Sequence, residues 1–195
     1  ALHAGHESLI KRSLEENKST VVSIYVNPTQ FDNQSDLAVY PETMGQDQDI
    51  LESLGVDILL APTSGQMYPD CFRYQILEGE FSRDLCGAHR DGHFSGVLTV
   101  VMKLLNIVSP DRAYFGEKDY QQYLLIRDMV NAFFLDVEIV PCPIVRESDG
   151  LALSSRNLNL DPCSRKTAPI IHELIDSSAS DQEVSNRLTK LGFHV

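Results

Sequence analysis

The sequence predicts an α/β fold, a parallel sheet with helices on both faces, and three observations carry that expectation. Short β-branched apolar runs alternate with helical repeats, the strand runs are nearly continuous in apolar residues, and polar clusters stand where strands pass into helices. Residues 21–26, centred on Val22 and Ile24, form the first strand candidate, and residues 56–60, with Ile58, Leu59 and Leu60, form the second. Residues 112–116 and 137–140 continue the series. Between them, Leu9, Ile10 and Leu14 mark one face of a helix over residues 7–16. Val97, Val101, Leu104, Leu105 and Val108 line a second helix that Pro110 stops, and Tyr123, Ile126, Val130 and Phe133 line a third. In sheets of this kind a ligand sits beyond the carboxyl ends of the strands.

The character of the chain changes near Asp161. Pro162 opens a helical stretch to Asp176, a small polar linker follows, and residues 181–191 read as another helix closed by Gly192. Phe193, His194 and Val195 read as the start of a strand. The expected organisation is a Rossmann-like domain over residues 1–160, whose first strand precedes the chain as given. Residues 161–195 are then the beginning of a truncated C-terminal α+β domain.

Composition narrows the function classes. Hydrophobic residues make up 43% and charged residues 23%, the mix of an ordinary globular protein. Neither an apolar run long enough to span a bilayer nor a secretion signal is visible. Cys71, Cys86, Cys142 and Cys163 have no metal-ligand spacing and read as free thiols in a reducing, cytoplasmic compartment. Sixteen basic against 28 acidic residues give a net charge of −12, which argues against a general nucleic-acid binder. Between Ser19 and Phe72 there is no Lys or Arg, so the cations gather from Arg73 onward.

Four polar motifs follow one another along the chain. In His3-Ala4-Gly5-His6 a glycine between two histidines precedes a helix, where imidazoles and the positive helix end suit a phosphate. After the first strand, Asn27-Pro28-Thr29-Gln30-Phe31 places two amides where a polyol or carboxylate would bind, although turn chemistry alone also explains Asn27-Pro28. In Gly116-Glu117-Lys118-Asp119, Gly116 permits close approach, Lys118 neutralises phosphate and Asp119 suits a ribose hydroxyl, with Gln122 one turn further on. A charged first turn of an ordinary helix has the same composition. In residues 145–157, Ser154, Ser155 and Arg156 make a phosphate clamp and Gly150 lets the loop move; a surface turn would read similarly. The ordered set of four is what sets the bland readings aside.

His3-Ala4-Gly5-His6 with Leu153-Ser154-Ser155-Arg156 resembles the paired HxGH and KMSKS-like signatures of the nucleotidylyltransferase superfamily. Residues 27–31, Tyr40-Pro41, residues 92–97, residues 116–122 and residues 145–157 resemble, more narrowly, the pantothenate synthetase family, from residue 1 to about Asp161. The resemblance implies a Rossmann-like domain on which the four motifs converge, and ATP-dependent joining of pantoate to β-alanine through pantoyl adenylate. It implies that His3, His6, Lys118, Ser154, Ser155 and Arg156 surround the ATP phosphates, with Gly5, Gly116, Asp119 and Val145 near the nucleoside. Gln30 and Gln122 would hold pantoate, with Asn27 and Tyr40 beside them and Arg90 and His93 at the edge. Mg2+ would ride on the ATP phosphates without a protein-held metal site. The C-terminal part would form a lid and a homodimer contact, with neither nucleic acid nor membrane as partner. Leu153 stands where methionine is common, a tolerable exchange. Two other readings are another nucleotidylyltransferase of the HxGH superfamily and a nucleotide-binding module without catalysis.

Overall fold

A computed structural model describes residues 2–31, 43–177 and 179–195. The chain divides into two compact units, one over residues 8–143 and the other combining residues 2–7 with residues 144–195. The boundary expected near residue 160 lies inside the second unit.

In the first unit, β1 (Val21–Ser23) pairs with β2 (Ile58–Leu60), and β3 (Arg112–Gly116) pairs with β4 (Glu138–Cys142). Both ladders are parallel, with Val22 opposite Leu59 and Tyr114 opposite Val140. Among the described residues these are two separate two-stranded ladders, where the sequence predicts a single sheet. The first strand is also shorter than the apolar run predicts: the ladder ends with Ile24 N–H donating to Leu60 O at 3.0 Å, and Tyr25 turns to pack beside Tyr68. Each parallel pair is joined through helix, as parallel strands require.

The helices explain the packing. α1 (Ala4–Glu16) buries Ile10, whereas Leu9 and Leu14 are only half-buried. α2 (Met44–Leu54) lies in an acidic stretch whose few apolar residues hide the helical period. It closes on Gly55 at φ +80°, whose N–H donates to Glu52 O while Val56 N–H reaches Leu51 O, the left-handed ending that glycine makes cheap. α3 is the single turn Ser64–Met67, capped reciprocally by Thr63 and Gln66.

α4 (His93–Val108) is apolar nearly all round, the pattern of a helix packed on more than one side. One face contributes Phe94, Val97, Leu98 and Leu105 to a core shared with Leu125, Ile126, Met129 and Val130 of α5 (Tyr120–Ala132). Another face carries Val100 against Met67 and Tyr68. Ser109 in the left-handed region and then Pro110 end α4, as the sequence predicts.

In the second unit, α6 (Pro162–Thr167) and α7 (Ile170–Ile175) replace the one helix expected up to Asp176. Pro169 lacks the N–H that would continue the ladder, so the helix breaks there. α8 (Asp181–Lys190) begins with a Ser180–Glu183 capping box and buries Leu188. Phe193 N–H folds back to Leu188 O, and residues 193–195 are irregular, not the strand start the apolar residues predict.

Where α4 meets the turn after β1, a Cβ on Gly96 would stand 2.2 Å from Thr29 O and 2.7 Å from Gln30 N. Backbone cannot retreat as a side-chain end can, so Gly96→Ala is expected to destabilise the fold by about 1–3 kcal/mol. Urea unfolding of the variant against the parent checks it; an unchanged midpoint would mean that α4 does not rest on this turn.

Candidate active site

The turn beyond β1 is built around one amide. Asn27 is 1% exposed. Its Oδ1 accepts from Tyr68 Oη at 2.8 Å, from Thr29 Oγ1 at 3.0 Å and from Thr29 N–H at 3.4 Å. Its Nδ2 donates to Gly96 O at 3.2 Å and to Gln30 Oε1 at 3.3 Å. Asn27 is therefore the internal organiser of the single 3-10 turn Pro28–Gln30, and its polar atoms are spent inside the protein. Gln30 is half-buried, and its Nε2 donates to no other side chain or carbonyl among the described residues.

His93 ties this turn to the start of α4. Its Nδ1 lies 2.7 Å from Gln30 O, and its Nε2 lies 3.0 Å from Arg90 Nη1. A carbonyl only accepts and a guanidinium only donates, so Nδ1 carries the proton and Nε2 accepts. The two bonds together require the neutral ring. Asn27, Gln30, Arg90 and His93 are thus one connected cluster, and Tyr40 lies outside the described residues.

At the end of β3, Glu117–Asp119 forms a 3-10 turn leading into α5. Lys118 is exposed, with Nζ 3.4 Å from each Asp119 carboxylate oxygen, a loose exposed pair that contributes little to stability. A Cβ at Gly116 would meet nothing within 4 Å, so the position is open on that side. Gln122 is half-buried, while its neighbour Gln121 is buried and structural. The Gln121 Nε2 donates to Phe81 O and Asp84 O at 2.8 Å each, and its Oε1 accepts from Cys86 N–H at 3.1 Å. Sequence alone does not separate these adjacent glutamines, because only the helix phase decides which faces the core.

In the second unit, His3 O accepts from the N–H groups of His6 and Glu7, and His3 Nδ1 accepts from Gly5 N–H at 3.2 Å. The two imidazoles lie against each other with centroids 3.9 Å apart and planes tilted by 32°. A Cβ at Gly5 would reach 2.9 Å from the His3 ring and 3.8 Å from Leu153 Cβ. Gly5 therefore lets the His3 ring lie over the turn, and the HxGH turn adjoins the segment that ends in Ser154, Ser155 and Arg156.

That segment follows a β-hairpin. Leu153 N–H donates to Val145 O, Glu147 N–H to Leu151 O, and Arg146 bridges Ala152 in antiparallel fashion. Gly150, at φ +91°, completes a turn closed by its own N–H to Glu147 O. The glycine that reads as a source of movement is thus the left-handed residue of a hydrogen-bonded hairpin. Ser154 Oγ accepts from Arg156 N–H at 3.3 Å and caps the 3-10 turn Ser155–Asn159; Ser155 is half-buried and Arg156 exposed. Asn157 Nδ2 reaches back to Ala152 O and Glu147 Oε1. The Arg165 guanidinium beside Asp149 holds that carboxyl below the usual carboxylate range. Sequence reading assigned no role to Tyr68, Gly96, Gln121 or Arg165: Gly96 and Gln121 lie within the segments 92–97 and 116–122 without a signal of their partners, and Tyr68 and Arg165 lie outside every motif.

Parallel strands with polar clusters beyond their carboxyl ends are the arrangement of an α/β ligand-binding protein. A family model described as pantoate-beta-alanine ligase matches residues 1–192. A pantothenate synthetase of Bdellovibrio bacteriovorus is 54% identical over 195 residues, which is all of this chain and 78% of that protein. One from Legionella pneumophila is 49% identical, over 100% of this chain and 77% of its own length. The crystal structure of a Francisella tularensis pantoate-beta-alanine ligase complexed with beta-gamma ATP and beta-alanine superposes with a TM-score of 0.92. It is 45% identical, and the match covers 98% of this chain and 74% of that one. The chain belongs to the pantoate-beta-alanine ligase family.

The Tyr68 phenol gives a direct probe of the Asn27 turn. Burial pushes its pKa up, opposed by its bonds to Thr29 and Asn27. A raised folded value means that the stability it contributes is present below the ordinary phenol pKa and is lost as pH rises through the raised one. Burial also pushes the Tyr114 phenol up, so spectrophotometric titration is expected to show late-ionising phenols, with loss of near-ultraviolet dichroism accompanying the Tyr68 part, and Tyr68→Phe is expected to remove that part alone.

Proposed function

We propose that this chain joins pantoate to β-alanine at the expense of ATP, in two steps at one site. The pantoate carboxylate attacks the α-phosphorus, forming the acyl–phosphate bond as the α–β phosphoanhydride breaks and pyrophosphate leaves. The β-alanine amine then attacks the acyl carbon, AMP departs, and the nitrogen loses a proton. Neither step needs a protein nucleophile, so the residues act by in-line positioning and by stabilising charge on phosphate oxygens.

The observation that carries this reading is the division of labour within the Asn27 cluster. Asn27 is committed internally, which leaves Gln30 presented on a braced turn with its amide N–H groups directed to no other described residue. A hydroxy acid needs such donors. Gln30 and Gln122 would hold pantoate, with Asn27, Arg90 and His93 bracing or bordering that pocket. His3, His6, Lys118, Ser154, Ser155 and Arg156 would contact the ATP phosphates, and Gly5, Gly116, Asp119 and Val145 would lie near the nucleoside. The Francisella structure was complexed with beta-gamma ATP and beta-alanine, which supports the choice of substrates.

Among the described residues no group of three or more His, Cys, Asp or Glu side chains is placed to hold a metal ion. In this reading Mg2+ would enter on the triphosphate, keeping most of its waters, and would offset negative charge there. The reading also includes a cytoplasmic homodimer formed through the C-terminal part of the protein. Among the described residues no helix is long and apolar enough to cross a membrane.

Pantoate-dependent exchange of labelled pyrophosphate into ATP tests the first step; no exchange from folded protein would sink the proposal. Lys118 is the phosphate contact expected to gain most as charge builds during attack. Lys118→Ala is expected to slow single-turnover adenylation by about 10²–10³ at saturating ATP, with unfolding unchanged. Gln30→Ala is expected to raise the pantoate KM more than the ATP KM. A larger effect on ATP would reverse the pocket assignment.

A further inference from the structure

Four side chains outside the proposed substrate contacts, Glu147, Asp149, Asn157 and Arg165, are hydrogen-bonded together around the hairpin that carries the Ser154–Arg156 segment. Arg165, in α6, donates from Nη1 to Asp149 Oδ2 and from Nη2 to Glu147 Oε2, both at 2.6 Å. The two carboxylates sit two residues apart on a tight turn and would repel each other without a cation between them. A planar guanidinium answers both at once, which an ammonium does not do with the same geometry. Glu147 uses its other oxygen, Oε1, to accept from Asn157 Nδ2 at 3.1 Å, and the same amide donates to Ala152 O at 3.0 Å.

The result is a closed circuit: Arg165 to the hairpin turn, the turn to Asn157, and Asn157 to the hairpin strand. Ser154, Ser155 and Arg156 are the residues enclosed by it. Upstream they are anchored by Leu153 N–H to Val145 O at 2.9 Å, and downstream by the Asn157 side chain. Arg165 is 30% exposed and Glu147 31%, so the pairs are partly shielded from solvent. The hydrogen bond between them is the first cause both of the depressed Asp149 pKa and of the raised Arg165 pKa, in agreement with that geometry.

We infer that Arg165 is a positioning residue for ATP, acting through Glu147, Asp149 and Asn157 to fix the hydroxyls and guanidinium of Ser154–Arg156 where phosphate is to bind. The inference rests on the proposed assignment of Ser154, Ser155 and Arg156 to the nucleotide. Arg165 touches no substrate in this scheme. Its loss leaves two neighbouring carboxylates unneutralised and frees the turn, so the enclosed segment samples more arrangements and ATP binding falls.

The test uses the full chain, with ATP affinity read by calorimetry and pantoate-dependent pyrophosphate exchange read separately. Arg165→Gln is expected to weaken ATP binding about tenfold, the loss of roughly one charge-assisted hydrogen bond. The pantoate KM should move much less. Arg165→Lys should recover only part of the loss, and the double variant Arg165→Gln/Glu147→Gln should be no worse than Arg165→Gln, since both act on one circuit. Wild-type ATP affinity in a folded Arg165→Gln, or equal losses of ATP and pantoate affinity, overturns the inference. Should that variant fail to fold, Glu147→Gln decides, with the same selective loss expected and normal ATP affinity overturning it. A parent that binds ATP but shows no pantoate-dependent exchange removes the pantoate reading alone. The positioning role then stands or falls on the ATP affinities.

Discussion

Asn27 satisfies five hydrogen bonds from a position almost sealed from solvent, and much of the first unit is arranged so that it can. Burying an amide costs several kcal/mol unless its donors and acceptors are met, so the groups that meet it are constrained in turn. α4 must come close enough to offer Gly96 O, which only a glycine surface allows. Tyr68 must stand with its phenol inward, and Lys103 lies 4.4 Å from the centroid of that ring while its Nζ donates to Met67 O and Asp70. The apolar surroundings of α4 hold those pieces together. The polar turn and the hydrophobic core are thus mutually dependent: the core brings the partners into reach, and the amide fixes their register.

The second unit solves a similar problem with charge. Its short helices bury few side chains, Leu174 and Leu188 among them, and do not supply a large core. Order near residues 145–157 comes instead from backbone hairpin bonds, side-chain caps and the Arg165 fork. Such exposed or half-exposed polar contacts are individually weak; the hairpin bonds and caps close few residues, so little chain entropy opposes them, whereas the Arg165 fork reaches 16 and 18 residues back.

Reading the sequence located the parallel strand pairs, the three long helices of the first unit and the segments that carry the candidate site. Those features are written in local pattern: period, β-branching, and proline or glycine punctuation. Other features depend on contacts between residues far apart. α2 has too few apolar residues to display its period. Nothing local assigns Gln121 to the core and Gln122 to a half-exposed face. Gly96 reads as an indifferent helix residue until Thr29 is brought against it, and Arg165 reads as a helix-end cation until the hairpin places two carboxylates beside it. Residues 193–195 and the unbroken helix up to Asp176 show the opposite error, where local apolarity was given more weight than a proline or a fold-back hydrogen bond.

The fixed proton on His93 has a bearing on chemical modification. Reagents that acylate imidazole attack an unprotonated ring nitrogen with its lone pair accessible. In His93 one nitrogen holds its proton against Gln30 O, the other has its lone pair directed at Arg90, and the ring is 8% exposed. His93 is therefore shielded at both ring nitrogens, and its acylation is expected to be slow. Inactivation by a carbonate anhydride at neutral pH would consequently report on imidazoles elsewhere, while delayed labelling of His93 would time the opening of the turn that carries Gln30.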